Sequence, residues 1–224
     1  DNTGFGEFHV WPAAAPAAWA LLSRAAPSFF YAPGASPAVT AWTKVRGGNM
    51  FTVLPDGEVD MLAPNGGERK VMATGSTTAD ATVTVDATLN YGSGWGVYLR
   101  TTLDPKTTYI TGYCVQVDQE GGQSILVRQI MNDKELSVPL AKVVPGGSLV
   151  KRHRVVAHIA GNTLAVSYDG KLVLTIPDLA AASAVAAKAS GAVMSYTPPT
   201  SGQIGLRAWN ASQVLFHQVT ITAG

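Results

Sequence analysis

Arg154-Val155-Val156-Ala157-His158-Ile159-Ala160, Gly161-Asn162, Leu164-Ala165-Val166-Ser167-Tyr168, Asp169-Gly170, Leu172-Val173-Leu174-Thr175-Ile176 is the stretch that decides the fold. Asp-Gly between two apolar-alternating runs is a strong hairpin signal, because a type I′ turn needs positive φ at both central residues. Gly161-Asn162 is a weaker form of the same signal. The stretch therefore predicts a three-stranded meander.

Upstream of it, Ala81, Val83, Val85, Ala87 and Leu89 alternate with Thr82, Thr84, Asp86 and Thr88. That period of two gives a strand with one wet face. Trp95 to Arg100, Gly112 to Asp118 and Ser124 to Met131 read as further strands. Phe51 to Leu54 and Glu58 to Leu62 flank Pro55-Asp56-Gly57, where Pro fixes one φ and Gly accepts a positive one. Downstream, Asp178 to Ser190 breaks the pattern. It is Ala-rich, opens on an N-cap candidate and ends before Gly191, which predicts an inserted helix of about three turns. Gln203 to Trp209 and Val214 to Thr222 are the last strands, with Leu215, His217, Val219 and Ile221 expected on one apolar face. Roughly ten strands and almost no helix point to an all-β, antiparallel two-sheet sandwich.

Residues 1–41 read differently, as an N-terminal extension to a domain at 42–224. The extension is Pro-rich with Ala spacers, and Ala17 to Ala26 lies between Pro16 and Pro27 as a short helix candidate. Trp11, Trp19, Phe29, Phe30 and Tyr31 are too many aromatics for a free linker, so the segment is expected to pack on the domain or on a partner.

The 224 residues suffice to bury a core without disulfide or metal staples. A net charge of +1 with 14% charged residues excludes a strong electrostatic drive toward nucleic acid or anionic membrane. The one basic cluster, Lys151-Arg152-His153-Arg154, marks a strand start after Pro145-Gly146-Gly147. No run of about 20 apolar residues exists, so no membrane span is expected. The chain opens on Asp1 rather than Met, which reads as a mature or trimmed chain. The single cysteine, Cys114, cannot form an intrachain disulfide and reads as a small buried residue.

The order of pieces resembles a known architecture. Trp42-Thr43-Lys44-Val45, Gly57-Glu58-Val59 and the 81–87 strand lead to Gly94-Trp95-Gly96-Val97-Tyr98-Leu99-Arg100. Tyr113-Cys114-Val115-Gln116-Val117-Asp118, Ile125-Leu126-Val127-Arg128 and the meander follow, then Gly202-Gln203-Ile204-Gly205-Leu206-Arg207-Ala208-Trp209 and Val219-Thr220-Ile221. Over about residues 42–223 this is similar to the concanavalin A-like, laminin-G-type jelly roll. The nearest branch resembles domains appended to bacterial glycoside hydrolases and the domain named for 3-keto-disaccharide hydrolysis. Similar sandwiches occur as soluble heads of exported pilin-like proteins in Gram-positive bacteria. The resemblance implies two antiparallel sheets, one concave, with sugar often bound on the concave face or loop rim. It also implies an extracellular or cell-surface location. Fold does not fix function.

Several residues suit such a site. Trp95, in Tyr91-Gly92-Ser93-Gly94-Trp95-Gly96, reads either as a platform that stacks on a pyranose or as a strand-entry residue closing the sandwich edge. Trp209 shares the ambiguity. Tyr98 and Arg100 alternate with Val97 and Leu99, so they are expected to share a face, with Arg128 and Arg207 as further candidates. The expected ligand-binding set is thus Trp95, Tyr98, Arg100, Tyr91, Arg128 and Trp209. Asp118 and Glu120, beside Gly121-Gly122, offer oxygens to Ca²⁺ but lack the repeated spacing of a strong calcium loop. No other cofactor is suggested. His9, His153, His158 and His217 show no zinc spacing, and His217 reads as a satisfied core histidine. Glu58 and Asp60 alternate, yet follow a turn in a short strand and read as solvated edge residues rather than a glycosidase pair. No Gly-x-Ser-x-Gly elbow is present. Asn210-Ala211-Ser212 matches the glycosylation sequon.

These readings favour a non-catalytic carbohydrate-binding or adhesion module. The alternatives are a surface-filament subunit that assembles through residues 1–41, and a glycoside-cleaving enzyme.

Overall fold

The computed structural model describes residues 28–31, 42–46, 51–54, 58–73, 75–192 and 198–223. In chain order the strands are β1 (Ser28–Tyr31), β2 (Trp42–Arg46), β3 (Phe51–Val53), β4 (Val59–Leu62), β5 (Glu68–Ala73), β6 (Ala81–Tyr91), β7 (Gly94–Leu103) and β8 (Ile110–Asp118). They continue as β9 (Ser124–Met131), β10 (Lys134–Glu135), β11 (Ala141–Val143), β12 (Arg152–Ala160), β13 (Thr163–Tyr168), β14 (Lys171–Ile176), β15 (Gln203–Trp209) and β16 (Gln213–Ala223). Among the described residues one helix, α1 (Leu179–Ala189), interrupts them.

The strands form two antiparallel sheets. The first runs β14-β13-β12-β6-β16-β4-β3, with β1 beside β16; the second runs β10-β9-β8-β7-β15-β5-β2, with β11 beside β9. The predicted meander is β12-β13-β14, and Asp169 and Gly170 adopt φ of 47° and 79°, as its turn requires. Of residues 1–41 the described part is Ser28–Tyr31, which adds an antiparallel strand to β16. The helix expected at Ala17 to Ala26 and the turn at Pro55 to Gly57 lie outside the described residues.

Period-two patterning builds the core between the sheets. Val83, Val85, Ala87 and Leu89 of β6 meet Trp95, Val97 and Leu99 of β7 and Leu206 and Ala208 of β15, all buried. Helix α1 starts where expected: the Asp178 side chain accepts from Ala181 N at 2.9 Å, and Leu179 enters the core. Ala186 packs with Met131 and Leu136, joining the helix to β9. No helix among the described residues is long and apolar enough to cross a membrane.

Two expectations fail for local reasons. His217 does not share a face with Val219 and Ile221. The register of β16 shifts between Phe216 and Gln218, so Val214, Phe216, Val219 and Ile221 all face the core. His217 instead sits on the outer face, where its Nδ1 meets the Glu58 carboxylate and its Nε2 lies 2.7 Å from Thr88 Oγ1. A bulge adds one residue and flips the alternation beyond it. Glu58 is therefore a histidine partner, and Asp60 accepts from the Gln213 amide at 3.1 and 3.2 Å.

Tyr98 and Arg100 likewise do not share a face. The β7–β8 register shifts after Leu99, and Arg100 takes φ 48°. Its guanidinium turns to Ala79 O at 2.5 Å, Gly161 O at 2.6 Å and Asp80 Oδ1 at 3.1 Å. Arg100 thus ties the second sheet to the first.

Candidate functional site

The outer face of the second sheet, turned away from the core, is read off the strand registers. One row runs Glu68, Trp209, Gly94, Asp118 across β5, β15, β7 and β8. The next runs Lys70, Arg207, Gly96, Gln116. The third runs Met72, Gly205, Tyr98, Cys114 and, on β9, Arg128. A surface row of this kind is ordinarily solvated, yet Arg207 is 4% exposed and Lys70 2%.

Arg207 is the centre. One terminal nitrogen donates to Glu135 and the other to Glu68. Its guanidinium carbon lies 4.6 Å from the Trp209 ring centroid and 5.7 Å from that of Tyr98. Lys70 donates to Asp133 Oδ1 at 2.7 Å and pairs with Glu68 Oε2 at 2.5 Å. Arg128 donates to Leu136 O and Ser137 O at 2.8 and 2.9 Å, and its Nε pairs with Glu135 Oε2 at 3.3 Å. Gln116 Nε2 donates to Glu135 Oε1 at 2.7 Å. Burial works against the charge on Arg207, but the surrounding acidic groups, Glu135 and Glu68 among them, outweigh it and hold the guanidinium well above its ordinary range. Burial also opposes the charge on Glu135, and Arg207 with Arg128 overcomes it, so this carboxyl lies below the usual range.

Glycine makes the room. A Cβ on Gly96 would stand 2.8 Å from Cys114 Sγ and 3.3 Å from Arg207 Cγ. A Cβ on Gly94 would stand 2.6 Å from the Trp209 ring. The glycines around Trp95 therefore serve Trp209 and Arg207 on the opposite face. Trp95 itself is 0% exposed, edge-on to Phe216 at 5.8 Å in the core, so it offers no ring to a ligand.

These groups line a pocket of about 360 Å³, walled by Gly66 and Gly67, Glu68, Glu135, Arg207 and Trp209, with Gln116, Asp118, Arg128 and Asn210 completing it. The structure thus brings Arg128 and Trp209 together, with Tyr98 buried beneath Arg207. Arg100 belongs to the inter-sheet tie described above. Tyr91, 51% exposed, sits at the end of β6 at the same end of the sandwich as Trp209 without lining the pocket. Asp118 Oδ1 accepts from Gly121 N at 2.7 Å, and Glu120 Oε2 accepts from the Asn210 amide at 3.0 Å. The pair expected to offer oxygens to Ca²⁺ is engaged within the chain, and no group of three metal-ligating side chains occurs among the described residues.

Glu68, Lys70, Gln116 and Glu135 are the site residues the sequence reading missed. Glu68-Arg69-Lys70 looks like a solvated charge run, and no strand was expected at β5. Cys114 lies on this outer face in a small buried cluster with Met72, Tyr98, Ile110 and Ile130. Burial pushes its thiol up to about 12, so it stays protonated and inert. The sequon residue Asn210 is also committed: Oδ1 accepts from Gly66 N at 3.0 Å, and Nδ2 donates to Ser93 Oγ at 2.7 Å.

The pocket sits on a cross-linked end of the sandwich. The β4–β5, β6–β7 and β15–β16 connections run side by side there, joined by Ala63 N to Ser212 O, Ala211 N to Pro64 O, Asn210 N to Gly67 O and Ser93 N to Asn210 O.

Comparison with solved structures shows the same fold in several saccharide-related proteins. A carbohydrate-binding module, CBM66 from Bacillus subtilis, shares 17% identity over 82% of this chain and 96% of its own, with a TM-score of 0.61. A Bacillus licheniformis beta-glucanase shares 15% identity over 90% and 100%, with a TM-score of 0.58. The exoplasmic/lumenal domain of VIP36, solved with Ca²⁺ and mannose, shares 13% identity over 81% and 82%, with a TM-score of 0.56. At these identities the shared property is the sandwich. A comparison with curated protein sequences gave no match. The sequence profile of one family matches residues 34–222, nearly the whole of the sandwich, and the chain belongs to that family: the 3-keto-alpha-glucoside-1,2-lyase-like domains.

Proposed function

We propose that this domain binds carbohydrate in the pocket on the outer face of its second sheet. The observation that carries the reading is the buried Arg207, clamped between two partly exposed carboxylates and stacked on Trp209 in a ready-made pocket. A fold needs no such group on an outer face, and burying ions without a use is costly. Trp209 supplies an apolar ring for a pyranose face, and Glu68 and Glu135 supply acceptors for hydroxyls. The carbohydrate-binding module and the mannose-bound lumenal domain among its structural neighbours support the same reading. A module of this kind works outside the cell or at its surface.

A second reading rests on family membership. A lyase acting on a 3-keto sugar removes a proton beside the ketone and expels the neighbouring oxygen, which needs a base and a proton donor. Glu135, kept ionised by Arg207, supplies a weak base. The hydroxyl of Tyr98 is protonated but fully buried, its pKa raised well above the ordinary value by that burial. Tyr98 is thus not presented to the pocket as that donor.

A glycan array followed by calorimetry on the best ligand tests both. Trp209→Ala is expected to weaken binding at least about tenfold, as loss of a stacking contact does, while Tyr91→Ala leaves it unchanged. Wild-type affinity in a folded Trp209→Ala protein would move the site elsewhere. Consumption of a 3-keto-glucoside, lost in Glu135→Gln, would establish the lyase reading instead.

A further inference from the structure

We infer that the pocket selects uncharged saccharides and rejects acidic ones, because its surface carries more carboxylates than cations and two of its cations, Arg207 and Lys70, lie underneath. This rests on the pocket being the saccharide site. The layering is plain in the exposures. The side chains of Glu68 and Glu135 are 34% and 31% exposed, against 4% for Arg207 and 2% for Lys70.

Most donors at the site are already used; Arg128, with a side chain 20% exposed, keeps one terminal nitrogen outside its contacts with Leu136, Ser137 and Glu135. Both terminal nitrogens of Arg207 point at carboxylates, and its Nε is buried beyond reach. Arg128 is committed to Leu136 O, Ser137 O and Glu135; Lys70 to Glu68 and Asp133. The Gln116 amide donates to Glu135, and the Asn210 amide to Ser93 and Glu120. Even the backbone N–H groups of Gly66 and Gly67 are taken, by Asn210 Oδ1 and Pro64 O.

Acceptors remain. An ionised carboxylate has about four acceptor positions. Glu135 receives Arg207, Gln116 and Arg128, and Glu68 receives Arg207 and Lys70, which leaves about one and two positions respectively. Asp118 adds further negative charge on the wall, and the exposed Glu120 stands behind Asn210, whose amide it receives. A sugar hydroxyl, donating to this surface, is matched. A uronate carboxylate or a sulfate, which only accepts, finds few donors beside Arg128 and meets the like charge of Glu68, Glu135 and Asp118 at close range.

The test uses the intact domain and paired probes: α- and β-linked gluco-oligosaccharides, and the same oligosaccharides oxidised at C6 to carboxylates, measured by calorimetry at pH 7. For each linkage that binds, the oxidised form is expected to bind at least about tenfold more weakly. Glu68→Gln, which keeps shape and an acceptor but removes a charge, is expected to narrow that gap, with circular dichroism verifying the fold. Equal or tighter binding of the oxidised probes overturns the inference and leaves the saccharide site standing. So does an unchanged gap in folded Glu68→Gln. If neither member of any pair binds, the saccharide reading falls, and this inference with it.

Discussion

Both sheets of this sandwich carry ion pairs on their outer faces, but of opposite character. On the first sheet, Thr82, Thr84 and Thr88 alternate with core residues, and Asp86 receives Arg152 and Arg154 at 2.8 to 3.0 Å. Those guanidinium groups stay largely in water, with side chains 59% and 40% exposed. On the second sheet, Arg207 and Lys70 use equally ordinary partners but are almost wholly buried. The first face is what an amphipathic strand gives for free. The second buries its cations on a face turned away from the core, and that contrast singles out the candidate site better than any single residue type.

The largest expected effect breaks the comparison directly. Arg207→Ala leaves Glu68 and Glu135 facing each other without their shared cation, and is expected to cost about 3 kcal/mol in urea unfolding. Arg152→Ala, on the exposed pair, is expected to cost less than about 1 kcal/mol. Equal losses would erase the distinction between the faces.

A smaller effect sharpens it. Gly96→Ala puts a methyl against Cys114 Sγ and Val115 O, at 2.8 and 2.9 Å before relaxation, so Arg207 must move. About 1–3 kcal/mol of stability is expected to go with that overpacking, together with ligand affinity. Full affinity in Gly96→Ala would mean that Arg207 need not hold its place.

The smallest effect concerns pH on the first face. Burial alone would raise the Asp86 pKa, but Arg152 and Arg154 outweigh it and leave it lowered. A lowered folded-state pKa gives stability that is present above the unfolded value of about 4 and is lost as pH falls through the folded value. Asp86→Asn is therefore expected to be less stable than wild type near pH 7, and the two unfolding curves are expected to converge in acid. Parallel curves down to pH 2 would show that the pair contributes nothing pH-dependent.

Much of the architecture was legible because it follows from local rules. Asp169-Gly170 specified its turn, Asp178 its helix start, and β6 its wet face. What escaped depended on register. A one-residue bulge after Phe216 moved His217 outward, and another after Leu99 separated Arg100 from Tyr98. At the site, Trp209 and Arg128 were visible as residue types that suit sugars. Glu68, Lys70 and Glu135 were not, because nothing within β5 or β10 says that an arginine of β15, next to β5 but four strands along the sheet from β10, will sink between them. Of the two readings of Gly94-Trp95-Gly96, the structural one holds for Trp95, which closes the core, while the glycines allow close packing on their own face, where Trp209 lies.

The three cross-linked connections at the pocket end make this site a socket rather than a clasp. Its rim at Gly67 and Asn210 is held by backbone hydrogen bonds among these connections before any ligand arrives, so little ordering entropy is left to lose there on binding. Amides at Ala63, Asn210 and Ala211 should exchange with solvent about as slowly as those of the core strands. A ligand must therefore fit the shape it finds. Changes in specificity would then come by exchanging side chains on β5, β10 and β15, not by lengthening a loop.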